Sequence, residues 1–535
     1  MDVSSYRQTT TIEPAQTQKT TQEEVKAPKT LRNAKSCGTQ YIKYLRKNIP
    51  TVSDFKQYSA VLICGLSLWM TSWFIFEDLV FPGGYIFDMT ALVVIGYLFG
   101  HMLQKYTSIN AVVGMTLVGA LARNLVPINF IENPMAYSVD YHLRRIYPVI
   151  ILTKGPLSWN WEYIKQNSVK VFSLATMPWI IECLSTAFFT FIFLEFPWYW
   201  GLHLGAILSS VSPAVVVPTL VELDARGFGT KNKIAHLVGN AGGLDTAFTE
   251  GMFGVINSAI FYQSAPEYRI VKALLAIFVG IGLGVVWGFL ADILPEHNDI
   301  YAPTIRSLHI FSGGILITFA ASYFGWGGTS GVSIMVCSAA AATRWSRRGW
   351  AINKNPVSEV YKLLWTLFEP MLFTLSGYFL EVKQISAIEF GYILACIFSA
   401  LLLRLLTAFL IALANELSVK ESIFIAITWI PKAIVEAVLV RVATDSLWQE
   451  GATDQDRKIA AQHSNIIVIS ILITSTIGSL LTTLTGPLLL SESKVSADGL
   501  QTTQSPGALP ESQYNRCDVT KPPNKRASVQ FIDMK

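Results

Sequence analysis

Charge is scarce in this 535-residue chain: Asp, Glu, Lys and Arg together make up 15% of it, against about 25% in an ordinary soluble domain. A water-soluble fold is excluded on that ground, because the apolar remainder exceeds what one aqueous core absorbs. The net charge of +4 is too small to point to a nucleic-acid partner, and in a membrane protein positive charge reads as topology. Paired cysteines are also lacking. Cys37, Cys64, Cys183, Cys337, Cys396 and Cys517 lie mostly in apolar runs or in the tails, which excludes both a disulfide framework and a zinc site. The first fifty residues have no apolar stretch followed by a cleavage site, so the N-terminus is expected to stay in the cytosol. No HExxH, no Ser/Lys or Ser/His pair and no matched pair of aspartate motifs is present, which argues against an intramembrane hydrolase or any other enzyme. Glycine-rich GGTSG falls between apolar runs rather than between a strand and a helix, so a nucleotide site, ATP-driven transport and a bound cofactor are not expected.

Long apolar runs are abundant. Hydrophobic residues make up 51% of the chain and aromatics 12%, with a mean hydropathy of +0.41. Crossing a bilayer takes roughly 20 apolar residues in a helix, and about fourteen segments qualify, near 58–77, 86–105, 108–126, 142–160, 170–195, 200–221, 233–262, 270–292, 305–324, 328–345, 360–380, 389–413, 421–444 and 464–488. The fourth is the weakest, since His142, Arg144 and Arg145 open it. Alternating sides from a cytosolic start puts Lys165, Lys170, Arg226, Lys231, Lys233, Arg344, Arg347, Arg348 and Lys354 on the inner side, whereas EDLVFPGG, LEFPWYW and the acidic stretch from Asp445 to Asp456 fall outside. That bias places both termini in the cytosol. Residues 1–55 and 491–535 are polar and read as disordered tails flanking a membrane domain at 56–490. Lys525-Arg526-Ala527-Ser528 has the form of a basophilic kinase site, a tetrapeptide common by chance. No lipidation or retention signal distinguishes plasma membrane from endomembrane.

Inside these spans sit groups that a bilayer penalises by about 2.5–3.5 kcal/mol each on insertion scales. They are Glu182, Asp245, Glu250, Arg404 and the Lys432/Glu436 pair. Snorkelling, most plausible for Arg404, and structural ion pairing, with Lys432 and Glu436 at i,i+4, are the readings that need no transport. Proline supplies a second signal: Pro213 in SSVSPAVVVPTL and Pro431 in ITWIPKAIVEA interrupt mid-span helices. Broken helices at membrane depth are tolerated where they line a cavity or are buried in protein, and in transporters built from inverted repeats they mark the substrate site. Each broken span is the middle of three, so charges and breaks select the same helices, at about 170–262 and 389–488.

VSPAVVVP, the acidic helix GGLDTAF some thirty residues later and WIPKAIVEA resemble the NHA branch of the cation/proton antiporters, over about residues 80 to 490. The resemblance implies an all-α membrane protein of the NhaA-like antiporter fold, with inverted repeats, two crossing broken helices and a homodimer. It implies exchange of Na+ or Li+ for H+ by alternating access, without a cofactor. It matches Glu182 and Arg404 to an intramembrane ion pair and Lys432 to the lysine of the second crossing helix. Members of the branch carry two adjacent aspartates, whereas this chain reads Leu244-Asp245-Thr246. Counting from Pro213 places Asp245 on the first aspartate, with Thr246 in place of the ion carrier; a register one residue different makes Asp245 the carrier. Asp245, Thr246, Ser212 and the carbonyls around Pro213 form the expected ion site, with Glu250, four residues beyond Thr246, as a substitute carboxylate or as the partner of a basic group near the helix end. The missing carboxylate motivates an alternative, a proton-coupled chloride transporter or a transport-deficient pseudo-transporter.

Overall fold

A computed structural model describes residues 52–126, 134–261, 266–351, 355–447 and 453–492. The two tails, with the kinase-like tetrapeptide, and Lys354 lie outside these residues. Two compact units divide the chain at Val80/Phe81. The first contains helix α1 (Val52–Phe76) and a 3-10 turn over Glu77–Val80. Ile63, Leu68, Phe74 and Ile75 of α1 are exposed, the surface that lipid covers in a spanning helix.

The second unit is built from α2 (Tyr85–Tyr106), α3 (Ala111–Leu125), α4 (Pro134–Leu157), α5 (Trp161–Gln166), α6 (Ser168–Leu194), α7 (Trp198–Leu208), α8 (Pro213–Ala225), α9 (Ile234–Phe261), α10 (Pro266–Ile293), α11 (Ala302–Phe324), α12 (Thr329–Arg347), α13 (Pro356–Gly377), α14 (Ala387–Ala414), α15 (Val419–Thr428), α16 (Ile434–Leu439), α17 (Val442–Leu447) and α18 (Asp454–Leu489). Local chemistry sets many of these boundaries. Asn110, Asn355, Ser386 and Thr453 accept backbone N–H bonds from the first turns of α3, α13, α14 and α18, and Ser418 with Glu421 forms a reciprocal capping box on α15. Gly325, at φ +66°, closes α11 in the left-handed conformation that costs glycine nothing.

Each of the fourteen segments expected from sequence is occupied by one helix or by two or three end to end. Among the described residues, nine helical segments are long and apolar enough to cross a membrane. The other five are those of α3, α4, α9, α12 and α15–α16. Helix α3 has only 15 residues, α15 is cut short by a break, and α9 and α12 are rich in Gly, Ala, Ser and Thr. Helices surrounded by protein need no continuous apolar surface, because their neighbours rather than lipid meet their side chains.

Two groups of helices follow from the packing. In one, α10 lies against α12. Gly280, Gly284 and Gly288, four residues apart, each leave so little room that an added Cβ would come within 2.8, 2.5 and 2.6 Å of the carbonyl oxygens of Thr329, Ser333 and Cys337. The glycine stripe lets the two backbones touch. In the other group α6 packs on α7, α9 and α14, while α18 packs on α8, α15 and α16. This second group holds Glu182, Asp245, Arg404, Lys432 and Glu436, while the first has its own buried acid, Asp292 of α10, paired with Arg344 of α12.

Candidate functional site

Two helical spans are interrupted within it. Helix α7 stops at Leu208, residues Ser209–Ser212 are unwound, and Pro213 occupies the first turn of α8. Pro213 therefore starts the second half-helix, where its missing N–H costs nothing. In the other span α15 ends at Thr428 and α16 begins at Ile434, with Pro431 inside the unwound stretch. The breaks touch: Ser212 N–H donates to the carbonyl of Pro431 at 2.9 Å. Helix α18 straps the second break, since Lys432 N–H donates to Thr474 Oγ1 (3.2 Å) and Ser475 Oγ donates to the Lys432 carbonyl (2.6 Å). Gly478 makes room for the Pro431 ring, which any Cβ there would strike.

Unwinding leaves carbonyls without partners at the end of α7 and N–H groups without partners ahead of α8. Each set is met by charge of the complementary sign. Lys432 Nζ donates to the Leu208 carbonyl and Arg404 Nη1 to the Ser209 carbonyl. On the opposite side of the break Val211 N–H donates to Asp245 Oδ2 at 2.7 Å, with Ser210 Oγ 3.4 Å from the same oxygen.

Glu182, from α6, joins the two cations. It accepts from Arg404 Nη1 and stands 2.7 Å from Lys432 Nζ. Arg404 Nη2 lies 3.6 Å from Asp245 Oδ1. Arg404 and Asp245 are 0% exposed, Glu182 and Lys432 1%, so Arg404 does not snorkel to a surface. The i,i+4 pairing of Lys432 with Glu436 does not form. Lys432 stands in the unwound segment, two residues before α16 begins, so helical spacing does not bring the two side chains together, and Glu182 takes the lysine instead. Both carboxylate oxygens of Glu436, a fully buried residue, are left without a hydrogen bond from any other residue.

The other expected ligands are distributed unequally. Ser212 Oγ and Asp245 Oδ1 are buried with no hydrogen-bond donor assigned to them. Thr246 Oγ1 donates back to the Gly242 carbonyl at 3.1 Å. Glu250 is half-buried and faces Gly331 of α12, where an added Cβ would stand 2.8 Å from its Oε2. It lines a cavity of about 280 Å3 with Tyr141, Arg144, Arg145, Asn257 and Asp445. Among the described residues it forms no ion pair: Arg144 is held by Asp140 at 2.8 Å and by Asp445 at 2.6 Å.

Sequence reasoning did not single out Thr474, Ser475 and Gly478. The small and hydroxyl-bearing run ITSTIGS inside a long apolar helix was the available signal, because such residues gather where membrane helices meet closely.

Paired breaks, a buried charge knot and a carboxylate on a break N–H occur within a segment that matches a known family. Residues 89–487 match the family described as sodium/hydrogen exchanger, transmembrane. The chain belongs to that family. Among its relatives, human sodium/hydrogen exchanger 9B2 is 30% identical over 431 residues, covering 79% of each chain. Human sodium/hydrogen exchanger 9B1 is 28% identical over 430 residues, covering 79% of this chain and 82% of the relative. Among solved structures, the sodium proton antiporter MjNhaP1 from Methanocaldococcus jannaschii superposes with a TM-score of 0.64 at 19% identity, covering 76% of this chain and 99% of that one. At that identity the likeness is one of fold. Membership in the sodium/hydrogen exchanger family makes this chain a multi-pass membrane protein of the cation/proton antiporter class, a transporter and not an enzyme.

Proposed function

We propose that this exchanger moves Na+ or Li+ against H+ by alternating access, with Asp245 as the carboxylate that takes a proton or a cation in turn. The observation that carries this reading is the setting of Asp245. Its Oδ2 is pinned by the N–H of Val211 in the first break, while Oδ1, like Ser212 Oγ, is buried without a hydrogen-bond partner. Hard cations seek several oxygens, and a carboxylate, a hydroxyl and break carbonyls supply them. Arg404 at 3.6 Å competes with the cation for the same carboxylate, which keeps binding weak enough to release. Glu182 takes no part in exchange here; it neutralises Arg404 and Lys432 so that neither cation dominates the crossing. Thr246, whose hydroxyl is turned to Gly242, leaves Asp245 the sole acidic residue in its turn of α9.

The finer features expected from the NHA resemblance belong to the same proposal: fourteen spans, inverted repeats with the two breaks as crossing helices, an NhaA-like arrangement, cytosolic termini and a homodimer in lipid. The contact of Ser212 with Pro431 supports the crossing, and the Lys/Arg bias supports the orientation.

Purified full-length protein in liposomes, loaded with a pH-sensitive dye and given imposed Na+, Li+, K+ or Cl− gradients, tests the reading. Na+ or Li+ gradients are expected to drive proton flux and Asp245→Asn to abolish it with the fold intact, since asparagine still accepts from Val211. Flux driven by chloride alone indicates the anion transporter, and no flux under any gradient the transport-deficient form; either outcome rejects the proposal.

A further inference from the structure

Glu436 is the buried acid that the crossing leaves unsatisfied. It sits in the first turn of α16, just past the second break, at 0% exposure, and neither carboxylate oxygen accepts a hydrogen bond from another residue. Other fully buried acids at the crossing are served: Glu182 by Arg404 and Lys432, and Asp245 by Val211. The lysine that sequence spacing offers to Glu436 is engaged by Glu182 and by the Leu208 carbonyl. Helices α4, α7, α13 and α18 pack around α16, and the charges whose fields reach Glu436 are those of Lys432, Arg404 and Glu182.

An ionised carboxylate with no donor in a dry site is among the costliest groups a fold holds. Two species relieve it, a bound proton or a bound cation, and these are the species that exchangers trade. Meanwhile α9 has Thr246 where the resemblance calls for a second acid. Carboxylates counted across the crossing, rather than along α9, are three: Glu182, Asp245 and Glu436. One of them is committed to the two basic groups.

We propose that Glu436 is a second proton-carrying carboxylate of the transport site, contributed by the second broken span in place of the one absent from α9. When a cation enters the crossing, the Glu436 carboxyl gives up its proton to water on the open side; when the cation leaves, a proton returns from the other side. The inference deepens the Asp245 reading and rests on it for its place in the cycle.

Infrared difference spectra of the purified full-length protein, recorded as Na+ replaces choline and separately as pH is raised, read protonated carboxyl groups without requiring transport. The wild type is expected to lose a carboxylic C=O component in both experiments, and Glu436→Gln to lack that component. Glu436→Asp guards against misfolding of the glutamine variant: it is expected to keep the component at a shifted frequency. Spectra of Glu436→Gln that superimpose on the wild type, an unshifted component in Glu436→Asp, or a wild type without any such component would each overturn the proposal. In liposomes, Glu436→Gln is expected to slow Na+-driven proton flux at least tenfold. A protein that passes the infrared test but shows no cation-driven flux places the failure in the antiport reading rather than in Glu436.

Discussion

Glu182→Gln is the perturbation whose size follows most directly from the structure. The wild-type carboxylate stands between Arg404 and Lys432, all three at 0–1% exposure. Removing one member of a buried ion pair costs about 3–5 kcal/mol, because the survivor keeps its desolvation penalty without compensation. Two survivors remain here, but the cost does not double. Lys432 keeps the Leu208 carbonyl, and Arg404 keeps the Ser209 carbonyl and Asp245 Oδ1 at 3.6 Å. The expected loss is therefore about 3–5 kcal/mol, a large share of the roughly 5–15 kcal/mol available to a folded protein. Unfolding by SDS in mixed micelles, followed by tryptophan fluorescence, measures it. Adding Lys432→Met to the same variant removes one orphaned cation and is expected to recover about 1–4 kcal/mol. If Glu182→Gln unfolds within about 1 kcal/mol of the wild type, the cations do not depend on Glu182 and the charge knot is refuted.

Two further outcomes follow. Gly478→Val puts a branched side chain into the Pro431 ring and pushes the second break off α18, away from Thr474 and Ser475; overpacking of this kind costs about 1–3 kcal/mol, and cation-driven flux is expected to be lost while size-exclusion chromatography still shows a folded protein. Glu250→Gln removes an acidic group from the cavity wall rather than from the contact between the two breaks, so the apparent KM for the cation is expected to rise with the maximal rate retained. Collapse of the maximal rate instead would put Glu250 inside the transport site.

Much of the fold is legible because each signal is local. Runs of apolar residues mark helices at all fourteen positions, and Pro213 and Pro431 mark the interruptions. Less legible is which helices face lipid: hydropathy cannot separate α9, interior and rich in small residues, from a loosely apolar span. Pairing is harder still. Arg404 is 222 residues from Glu182, and Lys432 is 250 residues from it. Nothing in the local spacing of Lys432 and Glu436 announces that the lysine turns elsewhere, because the i,i+4 rule assumes a continuous helix.

By itself the sequence determined that this chain lives in a membrane, where its helices lie and that Glu182, Asp245, Arg404, Lys432 and Glu436 are charged groups inside its spans, because the cost of water-free charge is a property of single segments. Tertiary structure decided the rest: that two breaks meet through Ser212 and Pro431, that Lys432 and Arg404 cap the carbonyl end of α7, that Glu182 is shared, and that Glu436 is left without a partner. Those outcomes depend on distances between segments far apart in the chain. In a low-dielectric interior a shift of an ångström or two determines which ion finds its counterion and which must find a proton or a cation.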